Sequence, residues 1–112
     1  MMEQPGMDNL FAQLEAVLRQ RREQGGDQSY VASLYKSGLD RMLKKIGEEA
    51  TEVVLAAKNG DAQELAAEMA DLWFHCLVVL AYRDMDSSAV MRILAERFGR
   101  SGLEEKASRP HN

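Results

Sequence analysis

Acidic residues at helical spacing are the feature of this sequence best suited to chemistry. Glu48, Glu49 and Glu52 fall within one short stretch, and Glu68 and Asp71 follow after an Asn-Gly-Asp break. Residues three or four apart share a helix face, where like charges destabilise a helix by about 0.2–0.5 kcal/mol per pair. Because the sequence keeps these acidic residues at the edge of an apolar face despite that cost, they indicate a function. The chemistry that they suit is the binding of a divalent cation.

The two acidic groups are predicted to face each other across a helical hairpin. Glu49 and Glu52 precede the tight Asn-Gly turn by about the same distance as Glu68 and Asp71 follow it. Helices joined by so short a turn run antiparallel, so we expect the four carboxylates at one level. Such an all-oxygen site suits Mg²⁺, with Mn²⁺ as a substitute, and leaves positions open for water and phosphate oxygens.

Other interpretations of these residues remain open. The acids could instead form a solvated helix face, with Lys45 paired to Glu49 one turn later. Lys45 is also the base best placed to hold a polyphosphate. His75 could orient a phosphate or a carboxylate, or it could be a hydrogen-bonded core residue. A Glu-x-x-His iron motif is absent, and one Cys with two His argues against zinc.

Composition bounds the fold and the partners. The 112 residues are 46% hydrophobic, 29% charged and only 6% aromatic, which predicts one all-α domain with its core at about residues 8–99 and a polar tail at 100–112. The net charge of −4 argues against nucleic acid and anionic membranes as partners. Cys76 is the only cysteine, and no apolar run is long enough to span a bilayer, so we expect a cytoplasmic protein.

Periodicity and capping residues predict a bundle of four to five helices. The expected helices start after Asp8 and Ser29, at about Asp40, and after Asp61 and Asp86 or Ser87. They end near Gly25, Gly38, Lys58, Tyr82 and Gly99. Residues predicted to be buried include Leu43 and Val54 in the third helix, Trp73 in the fourth, and Val90, Met91, Leu94, Ala95 and Phe98 in the fifth. Residues 72–82 are apolar on nearly every face, which predicts that a homodimer completes the bundle.

Taken together, these residues form a recognisable pattern. The stretch at 44–59, followed by Glu-Met-Ala-Asp-Leu-Trp-Phe-His at 68–75, resembles the phosphoribosyl-ATP pyrophosphohydrolases of histidine biosynthesis. The Glu-Glu-x-x-Glu and Glu-x-x-Asp motif is shared more widely, by MazG-type and dimeric dUTPase-like all-α pyrophosphatases. The Ser-Tyr pair at 29–30 and the tail at 102–109 narrow the resemblance to the histidine branch, and it covers about residues 9–109.

The resemblance implies Mg²⁺-dependent hydrolysis of phosphoribosyl-ATP to phosphoribosyl-AMP and pyrophosphate, the second step of histidine biosynthesis, by a homodimer. It implies that the metal ligands are Glu49, Glu52, Glu68 and Asp71, and that Glu48 and Glu49 act on the attacking water. Candidate substrate contacts are Lys45, Lys58, Asn59 and His75. With one cysteine, the chain is expected to lack the zinc-dependent cyclohydrolase domain that is sometimes fused to this activity.

Two alternatives lead to different experiments. A house-cleaning pyrophosphatase would use the same metal site on a non-standard nucleoside triphosphate. A helical dimerisation module would carry the acids as ordinary surface and would release no pyrophosphate.

Overall fold

The computed structural model describes residues 9–24 and 29–99, and its elements are five α-helices with no strand in those two stretches. This confirms the all-α prediction. The expected caps at Asp8 and Gly25 and the tail at 100–112 lie outside the described residues. The helices are α1 (Leu10–Gln24), α2 (Tyr30–Ser37), α3 (Leu39–Asn59), α4 (Ala62–Tyr82) and α5 (Ser87–Gly99).

Local capping explains where the central helices begin and end. The Ser29 hydroxyl accepts from the Ala32 amide at the start of α2, and the Asp61 carboxylate accepts from the Gln63 and Glu64 amides at the start of α4. Gly60 ends α3 with φ +79°, a left-handed conformation that glycine adopts without strain. These local signals confirm the predicted hairpin of α3 and α4.

The core lies where α1, α2 and α3 pack against the C-terminal half of α4. The most extensive pairing is between α3 and α4, while α1 and α2 cover one side of it. The buried core residues are Leu18, Leu34, Met42, Leu77, Val78 and Ala81. All of them come from the end of the hairpin far from the Asn-Gly turn or from the helices beside it, so the N-terminal half of α4 is left on the surface.

Polar contacts fasten the core at the C-terminus of α4. The Arg22 guanidinium donates to the Ala81 carbonyl at 2.6 Å and pairs with Asp84 at 2.5 Å. Asp84 has φ +58°, which reverses the chain after α4. The Tyr35 hydroxyl of α2 donates to the Val78 carbonyl at 3.1 Å. The helices are thereby held at fixed positions along α4.

The predicted burial of α5 is wrong for the single chain. None of its residues is buried, and Phe98 is 76% exposed. Among residues 9–24 and 29–99, the helix packs only slightly against the others, and its apolar side is left uncovered. The same correction applies to every residue of α5 predicted to be buried: Val90, Met91, Leu94, Ala95 and Phe98.

The buried face of α3 differs from the predicted one by a rotation about the helix axis. Leu43 and Val54 are about half exposed, and Met42 and Ala56 are the residues of α3 that are buried. Trp73, expected in the core, is 53% exposed. Its ring meets that of Phe11 edge-on, with the ring centroids 5.9 Å apart. The periodic pattern located the helices but did not fix which part of a broad apolar face meets its neighbour.

Among the described helices, α4 is long and apolar enough to cross a membrane by those two criteria alone. The central helix of a helical bundle meets the same criteria. Because α4 pairs along α3 and carries Glu64, Glu68 and Asp71 in its first half, we interpret it as a bundle helix.

A buried carboxylate anchors α5. The Glu15 side chain, 5% exposed, accepts from the Ser87 amide at 2.5 Å and from the Ser87 hydroxyl at 3.0 Å. We expect Glu15→Ala to lower the free energy of unfolding by about 2 kcal/mol, because the first turn of α5 loses a charged acceptor. A thermal melt should fall by roughly 10 °C. Glu23→Ala, on the exposed side of α1, is the control; an equal effect there would contradict this role.

Candidate active site

Three carboxylates converge where α3 and α4 run side by side. Oxygen atoms of Glu49, Glu68 and Asp71 lie within 4.8 Å of one another. Glu49 and Glu68 are partly buried and Asp71 is exposed, so the group, here called the acidic cluster, opens to solvent on one side. It draws ligands from both arms of the hairpin, as the equal distances from the turn predicted.

Electrostatic repulsion is concentrated at Glu68. Its pKa is raised above the ordinary value, first by partial loss of hydration and then by the nearby charges of Glu52, Asp71 and Glu49. A positive charge close to Glu68 would stabilise the ionised form of its carboxyl group. A cation bound among these carboxylates would relieve the repulsion at Glu68.

The sequence-predicted ligand Glu52 lies outside the acidic cluster. It is exposed on α3, one turn nearer the hairpin turn than Glu49, although its field reaches Glu68. Lys58 and Asn59 lie farther along α3, at its C-terminal end, and both are exposed. At 1.5 Å per residue, Lys58 is about 13 Å along the axis from Glu49, too far to act at the same point.

Lys45 lies on the rim of the acidic cluster, one turn before Glu49. Its ammonium group is 3.5 Å from Glu48 and 3.8 Å from Glu49. The i,i+4 pair expected from the sequence is therefore present. Glu48 itself is exposed and lies outside the acidic cluster, so it faces Lys45 and solvent. The pKa of Lys45 is raised, first by electrostatic interaction with Tyr30 and then by the charges of Glu48 and Glu49, against the opposing effect of burial.

His75 is buried beneath this site and is hydrogen-bonded on both ring nitrogens. Nδ1 lies 2.7 Å from the Asp71 carbonyl oxygen, and Nε2 lies 2.8 Å from the Tyr30 hydroxyl. The side chain is only 5% exposed and packs edge-on against Phe74. His75 is therefore largely shielded from solvent in this arrangement.

The Tyr30 contact was missed at the sequence level. In the sequence, Tyr30 contributes only to the family resemblance, through the Ser-Tyr pair at 29–30. Its position as the first residue of α2, immediately after the Ser29 cap, is visible in the sequence. Nothing local could reveal its partner His75, because the two residues are 45 positions apart.

The donors suit a hard divalent cation. Carboxylate oxygens are the ligands that Mg²⁺ and Mn²⁺ prefer, and three of them close together leave coordination positions for water and substrate oxygens. The described residues bring no cysteine or histidine nitrogen into the acidic cluster, which a zinc site would need. A site of this kind can bind a polyphosphate only through the cation and bases such as Lys45.

Comparison with known proteins agrees with this chemistry. The family described as phosphoribosyl-ATP pyrophosphohydrolase matches residues 11–98. A phosphoribosyl-ATP pyrophosphatase of Methylococcus capsulatus is 58% identical over 101 residues, covering 90% of this chain and 96% of the relative. Proteins of the same name from Geobacter metallireducens and Vesicomyosocius okutanii are 48% and 47% identical over 103 residues, covering 92% of this chain and 94% and 98% of the relatives.

Proposed function

Because the chain belongs to the phosphoribosyl-ATP pyrophosphohydrolase family, we propose that it hydrolyses phosphoribosyl-ATP to phosphoribosyl-AMP and pyrophosphate. The convergence of Glu49, Glu68 and Asp71 from two helices is the observation that carries this proposal, since it supplies an oxygen site within the matched region. The activity is that of a cytoplasmic hydrolase in histidine biosynthesis.

The acidic cluster is proposed to hold Mg²⁺ through Glu49, Glu68 and Asp71. Glu52, whose charge acts on Glu68, is proposed as a further ligand. Bound Mg²⁺ neutralises phosphate oxygens and favours the departure of pyrophosphate. The chain's own residues fix where this happens. Lys45 is proposed to contact the polyphosphate from the rim. Glu48, exposed beside Lys45, is proposed to accept the proton of the attacking water, with Glu49 as the second carboxylate that acts on this water.

The phosphoribosyl group is proposed to be bound away from the acidic cluster. This group places a second phosphate far from the triphosphate, and Lys58 and Asn59 offer a base and an amide at the far end of α3. Their separation from the acidic cluster, about 13 Å along the helix axis, suits a substrate with phosphate at both ends. The candidate tail contacts Lys106 and Arg109 lie outside the described residues.

A homodimer is the proposed assembly. Nine residues from α1, α4 and α5 line an open apolar groove of about 350 Å³: Phe11, Trp73, Cys76, Leu77, Leu80, Ser87, Val90, Met91 and Leu94. Apolar surface of this kind favours association. A second copy would cover the groove together with the exposed side of α5, and it would account for the apolar residues that α5 leaves in solvent.

Substrate comparison tests the proposed activity. With Mg²⁺ present, we expect kcat/KM for phosphoribosyl-ATP to exceed that for ATP or dUTP by at least about a hundredfold, because only the former carries the remote phosphate. Pyrophosphate release is the measurement, and Lys58→Ala should narrow the difference while Lys36→Ala, an exposed lysine of α2, should not. Equal efficiency on dUTP or ATP would replace this function with house-cleaning of nucleotides. If none of these nucleotides releases pyrophosphate, the remaining alternative is that the chain is a helical dimerisation module.

A further inference from the structure

Lys45 is a base that the structure places against the acidic cluster. Its ammonium group lies 3.8 Å from a carboxylate oxygen of Glu49, which belongs to the cluster, and 3.5 Å from one of Glu48, which does not. The side chains of Lys45 and Glu49 are only 28% and 14% exposed, so solvent and salt screen this pair less than an ordinary surface ion pair. Lys45 thus already neutralises part of the charge of a proposed metal ligand.

The contact between Lys45 and Glu49 is electrostatic and easily exchanged. The ammonium group is farther from both glutamates than the roughly 2.7–2.9 Å of a charge-assisted hydrogen bond, so no fixed geometry holds it. A lysine carries a compact charge on a flexible four-carbon stem. Lys45 can therefore turn from Glu49 to another anion at the same rim without any movement of α3.

A free cation competes with Lys45 for the same carboxylate. Glu49 contributes an oxygen to the acidic cluster, so a divalent cation bound there takes over the charge that attracts Lys45. The ammonium group is then left close to a like charge, with the half-exposed Glu48 as its remaining partner at the site. Lys45 therefore lowers the affinity of the acidic cluster for a cation that arrives without an anion.

A polyphosphate reverses the effect of Lys45. Phosphate oxygens that accompany the cation bring negative charge to the rim, and Lys45 then pairs with phosphate in place of Glu49. The cation and the phosphate each make binding of the other more favourable, because coupling between two ligands is reciprocal. The same lysine thus opposes binding of the free cation and favours binding of its phosphate complex.

We propose that Lys45 is an internal counterion of the metal site, and that it makes the site select the magnesium–polyphosphate complex over free Mg²⁺ by moving from Glu49 to phosphate. This inference rests on the proposed function, since it takes the acidic cluster to bind Mg²⁺ and Lys45 to contact the polyphosphate. It adds that the cation enters together with the substrate and that an isolated cation is held more weakly.

Lys44 provides a matched control for the loss of one positive charge. It is the neighbouring residue of α3, it is exposed, and in the stretches 9–24 and 29–99 it forms no ion pair with a carboxylate. Lys44→Met and Lys45→Met change the net charge of the protein equally and introduce the same good helix former. The two variants differ in the contact with Glu49.

Calorimetric titration of the wild type and both variants measures two affinities separately, one for Mg²⁺ alone and one for preformed magnesium pyrophosphate. We expect Lys45→Met to bind free Mg²⁺ about threefold more tightly than the wild type, because the competing ion pair is gone. The same variant should bind magnesium pyrophosphate about tenfold more weakly, since a charge-assisted contact to phosphate is lost. Lys44→Met should stay within about twofold of the wild type in both titrations.

Separate results reject the inference and the proposed function. If Lys45→Met fails to bind free Mg²⁺ more tightly, or fails to bind magnesium pyrophosphate more weakly, Lys45 is not the counterion of this site. Equal effects of Lys44→Met and Lys45→Met would mean that only net charge matters, and would also overturn the inference. A wild-type protein that releases no pyrophosphate from phosphoribosyl-ATP would reject the proposed function instead, and the two titrations would still test Lys45.

Discussion

Glu68→Gln is expected to reduce the rate of pyrophosphate release by roughly 10²–10³, since several kcal/mol of charge stabilisation at the transferred phosphoryl group depend on the cation that this residue helps to hold. Glu68 is the member of the acidic cluster on which the fields of Glu52, Asp71 and Glu49 converge. A neutral amide keeps the shape of the side chain but removes one charge from the site. Steady-state assays at saturating Mg²⁺ measure the loss.

The same substitution should act in the opposite direction on the metal-free protein. Because the folded-state pKa of Glu68 lies above its unfolded value near 4.5, the fold disfavours the ionised form. The contribution of Glu68 to the free energy of unfolding of the wild type is therefore present at low pH. It is lost as the pH rises from about 4.5 through the raised pKa of the folded state. Glu68→Gln should remove that loss, so its metal-free melting temperature at pH 7 should equal or exceed that of the wild type.

Stabilisation by Mg²⁺ distinguishes a metal ligand from a surface carboxylate that is only repelled by its neighbours. At a hundred times its dissociation constant, the ion should stabilise the wild type by about 2.7 kcal/mol and the variant much less. Glu64→Gln, the same change one turn earlier on α4 and outside the acidic cluster, is the control and should keep both activity and the magnesium response. Equal magnesium stabilisation of the wild type and Glu68→Gln would count against the site.

Leu94→Glu is expected to abolish the proposed homodimer at micromolar concentration, with an affinity loss of at least about a hundredfold. Leu94 lies in the apolar groove that α5 forms with α1 and α4, where a second copy would enclose it. A carboxylate enclosed there would lose its hydration without gaining a partner, and truncation of a central apolar contact adds to the cost. Sedimentation velocity measures the assembly directly.

Loss of the dimer should also destabilise the chain, since the apolar residues of α5 would return to solvent and α5 itself is held mainly by the Glu15 contact to Ser87. Arg97→Glu places the same carboxylate on an exposed polar position of α5 and should leave assembly intact. A wild-type protein that sediments as a stable folded monomer would refute the homodimer. It would leave the metal site untouched, because Glu49, Glu68 and Asp71 come from one chain.

The sequence by itself determined the helices and the hairpin. Ser29, Asp61 and Gly60 are signals that act within one turn of the chain, so the starts of α2 and α4 and the end of α3 could be predicted to within a residue or two. The level at which Glu49, Glu68 and Asp71 meet also followed from counting residues on either side of a tight turn. Family membership rested on the same motif.

Only the tertiary structure decided which faces are covered and which side chains meet. The rotation of α3 against α4 buried Met42 instead of Leu43 and left Glu52 outside the acidic cluster, and a sequence with a broad apolar face allows several such rotations. The contacts of Tyr30 with His75 and of Glu15 with Ser87 join residues that are far apart in the chain. Their partners are set by how the helices pack, and periodicity within one helix carries no information about that.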